Sequence, residues 1–297
     1  MDVTDTLTAR AKINLALHVT GRRADGYHLL DTLVAFAETG DRLEISAAQT
    51  DEFFTEGSFG DGLPADQSNL VIRARDTFRG ALSARGLATV PVAIRLDKRL
   101  PVASGIGGGS ADAAAVLDGL NRLHGAPLSW RELAACGLAL GADVPMCLAG
   151  TPLIARGIGE ALQPLEHFPS LFAVLTTPAV AVSTPTVFAR LAHRDNAPLP
   201  PLPEQLTAAA LVDWLGETRN DLQAAALEIA PQIGEAVAGL KGQEALFARM
   251  SGSGPTCFGL FATAEAAENA AHAIAEANPR WFVAATAIAG APAVALG

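Results

Sequence analysis

A glycine-rich stretch occupies the middle of the chain and reads Pro101-Val102-Ala103-Ser104-Gly105-Ile106-Gly107-Gly108-Gly109-Ser110-Ala111. A helix is predicted directly after it, over Ala111 to Leu123, with Ser110 near its N-cap. Glycines let the backbone approach a ligand closely, and successive N–H groups can then converge on phosphate oxygens. The helix N-terminus adds to such an anion site. The alternative, a flexible turn, is disfavoured because ordering adjacent glycines costs much conformational entropy.

Other phosphate-binding loops do not fit this stretch. A Walker loop needs Gly-Lys-Ser/Thr, and no lysine lies between Arg99 and Ser110. A dinucleotide loop that starts at Gly105 would need glycine or alanine where Ser110 stands. A protein-kinase loop would be followed by its own lysine and catalytic-loop motifs, which this sequence lacks. The loop therefore belongs to another nucleotide-binding design.

The segment from Leu7 to Val19 has an apolar residue at every odd position, which is the periodicity of a β-strand. Lys12 and Asn14 occupy even positions, so they are predicted side by side on the face opposite the core. Only three of the 21 basic residues are lysines. A lysine is a compact charge that can be placed beside a reacting group, which makes Lys12 a candidate catalytic residue.

Asp143 lies in a sharp bend between apolar segments, within Leu140 to Met146. A carboxylate in such a setting needs a partner. One interpretation is an aspartate that bonds its own backbone in the turn. The other pairs it with Lys12, whose ammonium would keep Asp143 ionised and able to accept a hydroxyl proton. The residues alone leave both open.

Two further loops are candidates for ligand contact. Gly26-Tyr27-His28 follows the Lys12 strand, and its rings could stack on a planar group or anchor the loop to the core, with equal support. The turn Ser251-Gly252-Ser253-Gly254 could face a substrate, although a plain tight turn is somewhat better supported. The three cysteines have neither a disulfide framework nor a metal-ligand spacing.

The hydrophobic patterns predict alternating strands and helices. Strands are expected over Leu29 to Ala37 and around Asp41 to Ile45, and a helix over Asn69 to Ala84 capped by Ser68 or Asn69. A domain boundary is predicted near Thr151 to Gly159, dividing the chain into residues 1–155 and 156–297. Further elements are predicted as strands at Val92 to Leu96, Leu171 to Thr176, Leu246 to Met250, Thr256 to Phe261 and Trp281 to Ala285, and as helices opened by Ser129 and by Thr184-Pro185.

Composition limits the class of protein. The 297 residues are half apolar and carry a formal charge of -10, which argues against nucleic-acid or membrane-surface partners, since both need a basic face. Residues 1–5 lack a basic run followed by an apolar one, and no apolar stretch is long enough to span a membrane. We expect a cytoplasmic protein that acts on small molecules and has no obligatory protein partner.

Five motifs occur in order between residues 11 and 254. They are Ala11-Lys12-Ile13-Asn14-Leu15, Gly21-Arg22-Arg23-Ala24-Asp25-Gly26-Tyr27-His28, the glycine-rich stretch, Gly141-Ala142-Asp143-Val144-Pro145 and Ser251-Gly252-Ser253-Gly254. Together they resemble the galactokinase, homoserine, mevalonate and phosphomevalonate (GHMP) kinase superfamily. The second motif resembles one family within it, the kinases of 4-diphosphocytidyl-2-C-methyl-D-erythritol.

The resemblance implies a two-domain α/β (α+β) fold, with a ribosomal S5 domain 2-like N-terminal domain and a ferredoxin-like C-terminal domain. It implies phosphorylation of the acceptor's 2-hydroxyl in the methylerythritol phosphate route to isoprenoid precursors, with ATP as phosphoryl donor and Mg²⁺ accompanying ATP. Two alternatives are a kinase of the same superfamily that acts on another alcohol, such as homoserine or a sugar, and a nucleotide-binding regulator that has lost catalysis.

The resemblance also implies roles for individual residues. Lys12 and Asp143 match the catalytic pair, and Pro101 to Ala111 matches the ATP phosphate site. Asn69 and Lys98 match residues that line the nucleoside pocket. The matching substrate contacts are Tyr27, His28 and Phe188 around cytidine, with Asn14 and Thr184 nearby. The chain departs from the family pattern at Ala111, where a second serine is frequent, which leaves Ser110 as the candidate side chain for the metal, and at Arg10, where proline is common.

Overall fold

The computed structural model describes residues 5 to 288, so the expectation about residues 1–5 falls almost entirely outside it. The described part of the chain forms ten strands and nine helices. The strands are β1 (Asp5–Arg22), β2 (His28–Ala47), β3 (Glu52–Glu56), β4 (Val92–Asp97), β5 (Leu153–Gly157), β6 (Ala161–Pro164), β7 (Leu171–Thr177), β8 (Phe247–Met250), β9 (Cys257–Phe261) and β10 (Phe282–Ile288). The helices are α1 (Leu70–Ala84), α2 (Gly108–Leu123), α3 (Trp130–Leu140), α4 (Val144–Ala149), α5 (Thr184–Ala189), α6 (Ala208–Gly216), α7 (Gln223–Ile229), α8 (Gln232–Gly242) and α9 (Ala264–Ala277).

Strand β2 is the centre of the sheet. One of its edges pairs antiparallel with β1 along nearly the whole length of both strands. Its other edge is shared by β5 over residues 30–34, by β10 at Ala37 and by β4 over residues 42–47. From β10 the sheet continues through β7 and β9 to β8. The single bridge between Ile288 and Ala37 therefore joins two halves into one ten-stranded sheet, and the predicted mixture of strands and helices is confirmed.

The helices of the first half cover one face of this sheet. Phe78 of α1 and Leu117 of α2 are fully buried against Leu43 and Ile94 of the strands. Burying each of these side chains contributes roughly 1.5–3 kcal/mol. Gly119 lets α2 lie close to the sheet, because a Cβ there would clash with side-chain atoms of β1 and β2. This packing fixes the axis of α2 and so the direction of its N-terminus.

Local sequence signals place two helices as predicted. The Asn69 side chain caps α1 by accepting from the Val71 N–H at 2.9 Å. Ser129 opens α3 with a complete capping box, in which it exchanges hydrogen bonds with Glu132. In the second half, α8 and α9 pack on the sheet around buried Leu240, Phe261 and Ile274.

The prediction of two strands between Leu29 and Ile45 was wrong, because β2 is continuous through the polar residues 38–40. Gly40 permits this, since a Cβ there would clash with the backbone carbonyl of Ala9 in β1. Several short elements were not predicted at all: β3, β5, β6 and α4. Each has four to six residues, too few to display a periodicity. The N-cap position of α5 is Ser183 rather than Thr184, and the Ser183 side chain makes no capping bond.

The hairpin of β5 and β6 pairs with β2 and straddles the predicted domain boundary, so the division into residues 1–155 and 156–297 stays a prediction. Within residues 5 to 288, no helix has both the length and the apolar character needed to cross a membrane.

Candidate active site

A cleft of about 470 Å³ lies where β1, the start of α2, the start of α4 and α5 come together. Both halves of the chain contribute to its walls. Its predicted members are Lys12, Asn14, Ala103, Ser104, Gly105, Gly107, Gly108, Gly109, Ser110, Asp143, Thr184 and Phe188. Gly252 and Ser253 of the candidate turn also line it, and the residues that were not predicted include Leu30, Thr32, Met146 and Val182.

Lys12 and Asp143 form an ion pair in this cleft, with 3.0 Å between Nζ and Oδ2. The Lys12 side chain is 5% exposed and that of Asp143 is 43% exposed, so the carboxylate is the more accessible partner. Lys12 Nζ also donates to Asn14 Oδ1 at 2.9 Å. Asp143 is the N-cap of α4 but makes no side-chain capping bond. Of its two interpretations, pairing with Lys12 is the one that the geometry favours.

The glycine-rich stretch Pro101 to Ala111, called here the predicted phosphate loop, runs directly into α2. This helix begins at Gly108 rather than at Ala111 as predicted. Gly107 is the N-cap, in the left-handed region with φ 67°. The first intrahelical bond runs from the Ala111 N–H to the Gly107 carbonyl at 2.8 Å. The N–H groups of Gly108, Gly109 and Ser110 therefore have no partner within the helix, and these residues line the cleft. Ser110 lies in the first turn, not near the cap.

Other residues of the predicted phosphate site point elsewhere. Ile106 is fully buried, and Ala111 is 3% exposed and packs in the core under α2. Val102 is 57% exposed and, with Pro101, lines a separate depression outside the cleft. The loop is anchored to β1 because the Lys12 N–H donates to the Ile106 carbonyl at 2.9 Å. Of the predicted phosphate site, only residues 103–105 and 107–110 line the cleft.

The turn Ser251 to Gly254 lies against the glycine-rich stretch, and its contact with a substrate stays a prediction. The Gly105 backbone is so close to the Gly254 carbonyl that a Cβ on Gly105 would clash with it. Ser253 lines the cleft, and its Oγ lies 2.6 Å from Thr184 Oγ1. This turn is therefore part of the cleft wall, not a remote turn. The signal in the sequence was its Ser-Gly-Ser-Gly composition, which permits close backbone approach.

The structure does not place Lys98 or Asn69 among the residues that line the cleft. The Lys98 ammonium is buried below the loop between Asp41 and Asp112, with 2.5 and 2.6 Å to their carboxylates. Burial lowers the pKa of Lys98, but the two carboxylates more than offset this and raise it overall. Burial also raises the pKa of Asp112, against the opposing effect of Lys98. Asn69 is occupied in capping α1, so both nucleoside contacts stay predictions.

Two of the predicted cytidine-binding residues, His28 and Phe188, form a small aromatic group beside the cleft. The rings of His28 and Phe188 stack at 4.8 Å between centroids, with 22° between their planes. Burial, with the nearby Arg22 and Arg194, lowers the pKa of His28, which favours a neutral imidazole. Its Nε2 atom is buried without a hydrogen-bond partner in the described structure. Tyr27 is 59% exposed, so the alternative that it anchors its loop to the core is wrong.

Comparison with known families bears on this geometry. A sequence model of the GHMP kinases N terminal domain matches residues 69–151, and a model of the GHMP kinases C terminal domain matches residues 206–280. The 4-diphosphocytidyl-2-C-methyl-D-erythritol kinase of Mesorhizobium japonicum is 53% identical over 281 residues, which cover 95% of each chain. This chain belongs to the GHMP kinase family. The enzyme of the same name from Chelativorans sp. is 55% identical over 278 residues, 94% of each chain.

Solved structures agree with this placement. The crystal structure of a 4-(cytidine 5'-diphospho)-2C-methyl-D-erythritol kinase superposes with a TM-score of 0.78 at 33% identity, covering 96% of this chain and 100% of the other. A homoserine kinase from Cytophaga hutchinsonii superposes with a TM-score of 0.69 at 19% identity, covering 98% and 96%, which shows a shared fold. The expected two-domain GHMP kinase fold is confirmed, and the chain is an ATP-dependent small-molecule kinase.

Proposed function

We propose that this GHMP kinase transfers the γ-phosphate of ATP to the 2-hydroxyl of 4-diphosphocytidyl-2-C-methyl-D-erythritol, in the methylerythritol phosphate route to isoprenoid precursors. The observation that carries the mechanism is the Lys12–Asp143 pair, which faces a cleft shared with the phosphate loop. The choice of acceptor is supported by relatives of that name that are 53% and 55% identical over almost the whole chain.

Asp143 is the proposed general base. Its carboxylate is partly exposed to the cleft and is held by Lys12 at 3.0 Å. The acceptor's O–H bond breaks, its proton moves to Asp143, and the oxygen forms a bond to the γ-phosphorus. The bond from that phosphorus to the β–γ bridging oxygen breaks, and ADP leaves. The nearly buried Lys12 ammonium stabilises the negative charge that develops on the acceptor oxygen, because little solvent screens it there.

The N-terminus of α2 is the proposed site for the ATP phosphates. The three N–H groups of its first turn face the cleft and carry the positive end of the helix dipole. Binding there would place the ATP phosphates in the same cleft as Asp143. Phosphoryl transfer depends mainly on such positioning and charge stabilisation, and it needs no covalent intermediate on the protein.

Mg²⁺ is proposed to accompany ATP. The residues present fit this use, because Ser110 supplies a hydroxyl in the first turn of α2, Asp143 is the one carboxylate among the described residues that line the cleft, and Mg²⁺ in kinases is held mostly by substrate phosphates and water. The described residues contain no cluster of three or more acidic, histidine or cysteine side chains that would cage a metal by itself. When bound, Mg²⁺ neutralises phosphate charge. Ala111 adds no ligand, since it has no hydroxyl and is buried in the core.

The aromatic group is proposed to bind the acceptor's cytosine. His28 and Phe188 are already stacked, and the buried His28 Nε2 has no hydrogen-bond partner among the described residues. Tyr27 directly precedes His28 and its ring is exposed, so the ring can stack on a base without any change in core packing. Thr184 and Asn14 are proposed to contact the rest of the acceptor from the cleft wall.

We expect Tyr27→Ala to raise KM for the acceptor about tenfold, because it removes the stacking surface, worth about 1–3 kcal/mol per base. KM for ATP and the melting temperature should change little, since the exposed ring supports no core. Steady-state kinetics and thermal denaturation measure these quantities. Tyr27→Phe is the matched control and should retain the low KM, because it keeps the ring. A lower melting temperature with unchanged KM would remove Tyr27 from the site.

The regiochemistry of the product tests the proposed reaction. After incubation with Mg-ATP and the acceptor, ³¹P and ¹³C NMR should show a new phosphomonoester on the oxygen of carbon 2, with one ADP formed per product. A phosphate on another hydroxyl would refute the assignment of the acceptor geometry. ATP binding without any transfer would favour the alternative of a nucleotide-binding regulator.

We also propose the cytoplasm as the location of the protein and residues 1–155 and 156–297 as its two domains. Both proposals come from the sequence.

A further inference from the structure

A series of buried hydrogen bonds runs from the Lys12–Asp143 pair to Thr32, near the beginning of β2. Lys12 Nζ donates to Asn14 Oδ1 at 2.9 Å, and Asn14 Nδ2 donates to Thr32 Oγ1 at 2.9 Å. Thr32 Oγ1 donates in turn to the backbone carbonyl of Ala16 at 2.6 Å. Thr32 is only 1% exposed and Asn14 is 3% exposed, so water does not compete for these bonds.

The donor and acceptor of every hydrogen bond in this series are fixed by the last acceptor, the Ala16 carbonyl. A backbone carbonyl can only accept, so the single hydroxyl proton of Thr32 must go to Ala16. The Thr32 oxygen is then left as an acceptor and requires a donor from Asn14, which is the amide nitrogen. The amide oxygen must therefore face Lys12. The opposite orientation of the amide would set an NH₂ group against the ammonium and leave two buried donors facing each other.

Strand β1 is irregular where this chain of bonds is anchored. Its pairing with β2 shifts register between Asn14 and Ala16, a β-bulge. Bulges redirect side chains and free backbone groups from the regular ladder, and they recur beside active sites. Here the bulge brings the Ala16 carbonyl within reach of the Thr32 hydroxyl. A second contact fixes the backbone, since the Asn14 N–H donates to Ser251 Oγ at 3.0 Å.

We propose that Thr32 is a positioning residue of the kinase: its hydroxyl sets the orientation of the Asn14 amide, which holds the Lys12 ammonium toward Asp143. Thr32 acts through Asn14 and does not itself take part in phosphoryl transfer. The proposal rests on the proposed function only in that Lys12 is taken as catalytic. The hydrogen-bond order is a property of the protein without substrates.

Thr32→Val tests the proposal, because it keeps the shape of the side chain and removes the hydroxyl. We expect kcat to fall about tenfold, the effect of losing one buried hydrogen bond that holds a catalytic group, with KM for ATP within about twofold. Thr32→Ser keeps the hydroxyl and should restore most of kcat. A matched control is Thr176→Val in β7, where the buried hydroxyl has no partner among the described residues, and its kcat should equal that of the wild type.

The side-chain amide of Asn14 gives a readout that does not depend on turnover. In ¹H–¹⁵N spectra of the free protein, assigned through its disappearance in Asn14→Asp, this signal should move and exchange faster in Thr32→Val but not in Thr32→Ser or Thr176→Val. An unchanged Asn14 signal in Thr32→Val would overturn the proposal, and so would a kcat loss that Thr32→Ser fails to restore. Wild-type protein that does not phosphorylate the acceptor would refute the proposed function, while the amide spectra would still decide the role of Thr32.

Discussion

Replacing Asp143 by asparagine is expected to lower kcat by about 10²–10⁴-fold, the range typical of losing a general base. The amide cannot accept the hydroxyl proton, and it also removes the negative charge that faces Lys12 at 3.0 Å. The dissociation constant for ATP should stay within about twofold, because the proposed phosphate site lies at the N-terminus of α2 and does not include Asp143. Single-turnover phosphoryl transfer and nucleotide titration separate the two effects.

The fold should tolerate this change. Asp143 is the N-cap of α4, yet its side chain makes no capping bond, so asparagine removes no helix-stabilising contact. Asp213→Asn is a matched control, since Asp213 is an exposed aspartate on α6, and it should leave kcat unchanged. Wild-type turnover in Asp143→Asn would refute the general-base role. A large loss of ATP affinity would instead place Asp143 at the nucleotide.

Replacing Gly107 by alanine is expected to reduce both ATP affinity and kcat by about tenfold or more. Gly107 is the N-cap of α2 at φ 67°, a conformation that costs a residue with a Cβ roughly 1–2 kcal/mol. The new methyl group would lie 3.1 Å from Lys12 Cε and 3.2 Å from Lys12 Cβ, closer than normal contact. Either the first turn of α2 or the Lys12 side chain must move, and a displacement of about 1 Å at a reacting group can cost about 100-fold in rate.

Gly80→Ala provides the control for this glycine. Gly80 lies in α1, is exposed, and has open space where a Cβ would stand. Alanine there should raise the free energy of unfolding by roughly 0.5–1 kcal/mol and leave the kinetic constants unchanged. Denaturant titration and steady-state kinetics of both variants measure the contrast. Unaltered kinetics in Gly107→Ala would show that the geometry of this turn does not matter for phosphate binding.

The features predicted well from the sequence are those with a strong local signal. The alternation of apolar residues around Lys12 predicted its strand and the placement of Lys12 and Asn14 on the same face of that strand. The cap residues Asn69 and Ser129 predicted the starts of two helices. The glycine-rich stretch predicted a helix directly after it, although α2 begins at Gly108 rather than Ala111. In each case neighbouring residues determine the conformation, so a short window of sequence is sufficient.

The features that were missed depend on contacts between distant residues. The continuity of β2 depends on Gly40 facing Ala9, and the role of the Ser251 turn depends on Gly105, about 150 positions earlier. Lys98 matched a nucleoside contact by resemblance, yet its ammonium lies between Asp41 and Asp112. No local pattern identifies Thr32, because its hydroxyl matters only after the β1 bulge brings the Ala16 carbonyl to it.

The most direct test of the central claim is ADP release by the purified protein with Mg-ATP and a panel of acceptors. The panel is 4-diphosphocytidyl-2-C-methyl-D-erythritol, homoserine, mevalonate and galactose, with Asp143→Asn as the inactive control. We expect rapid ADP release with the cytidine diphosphate alcohol alone, and almost none from the variant. Equal or faster release with any of the other three alcohols, or release by Asp143→Asn at the wild-type rate, would contradict the assignment.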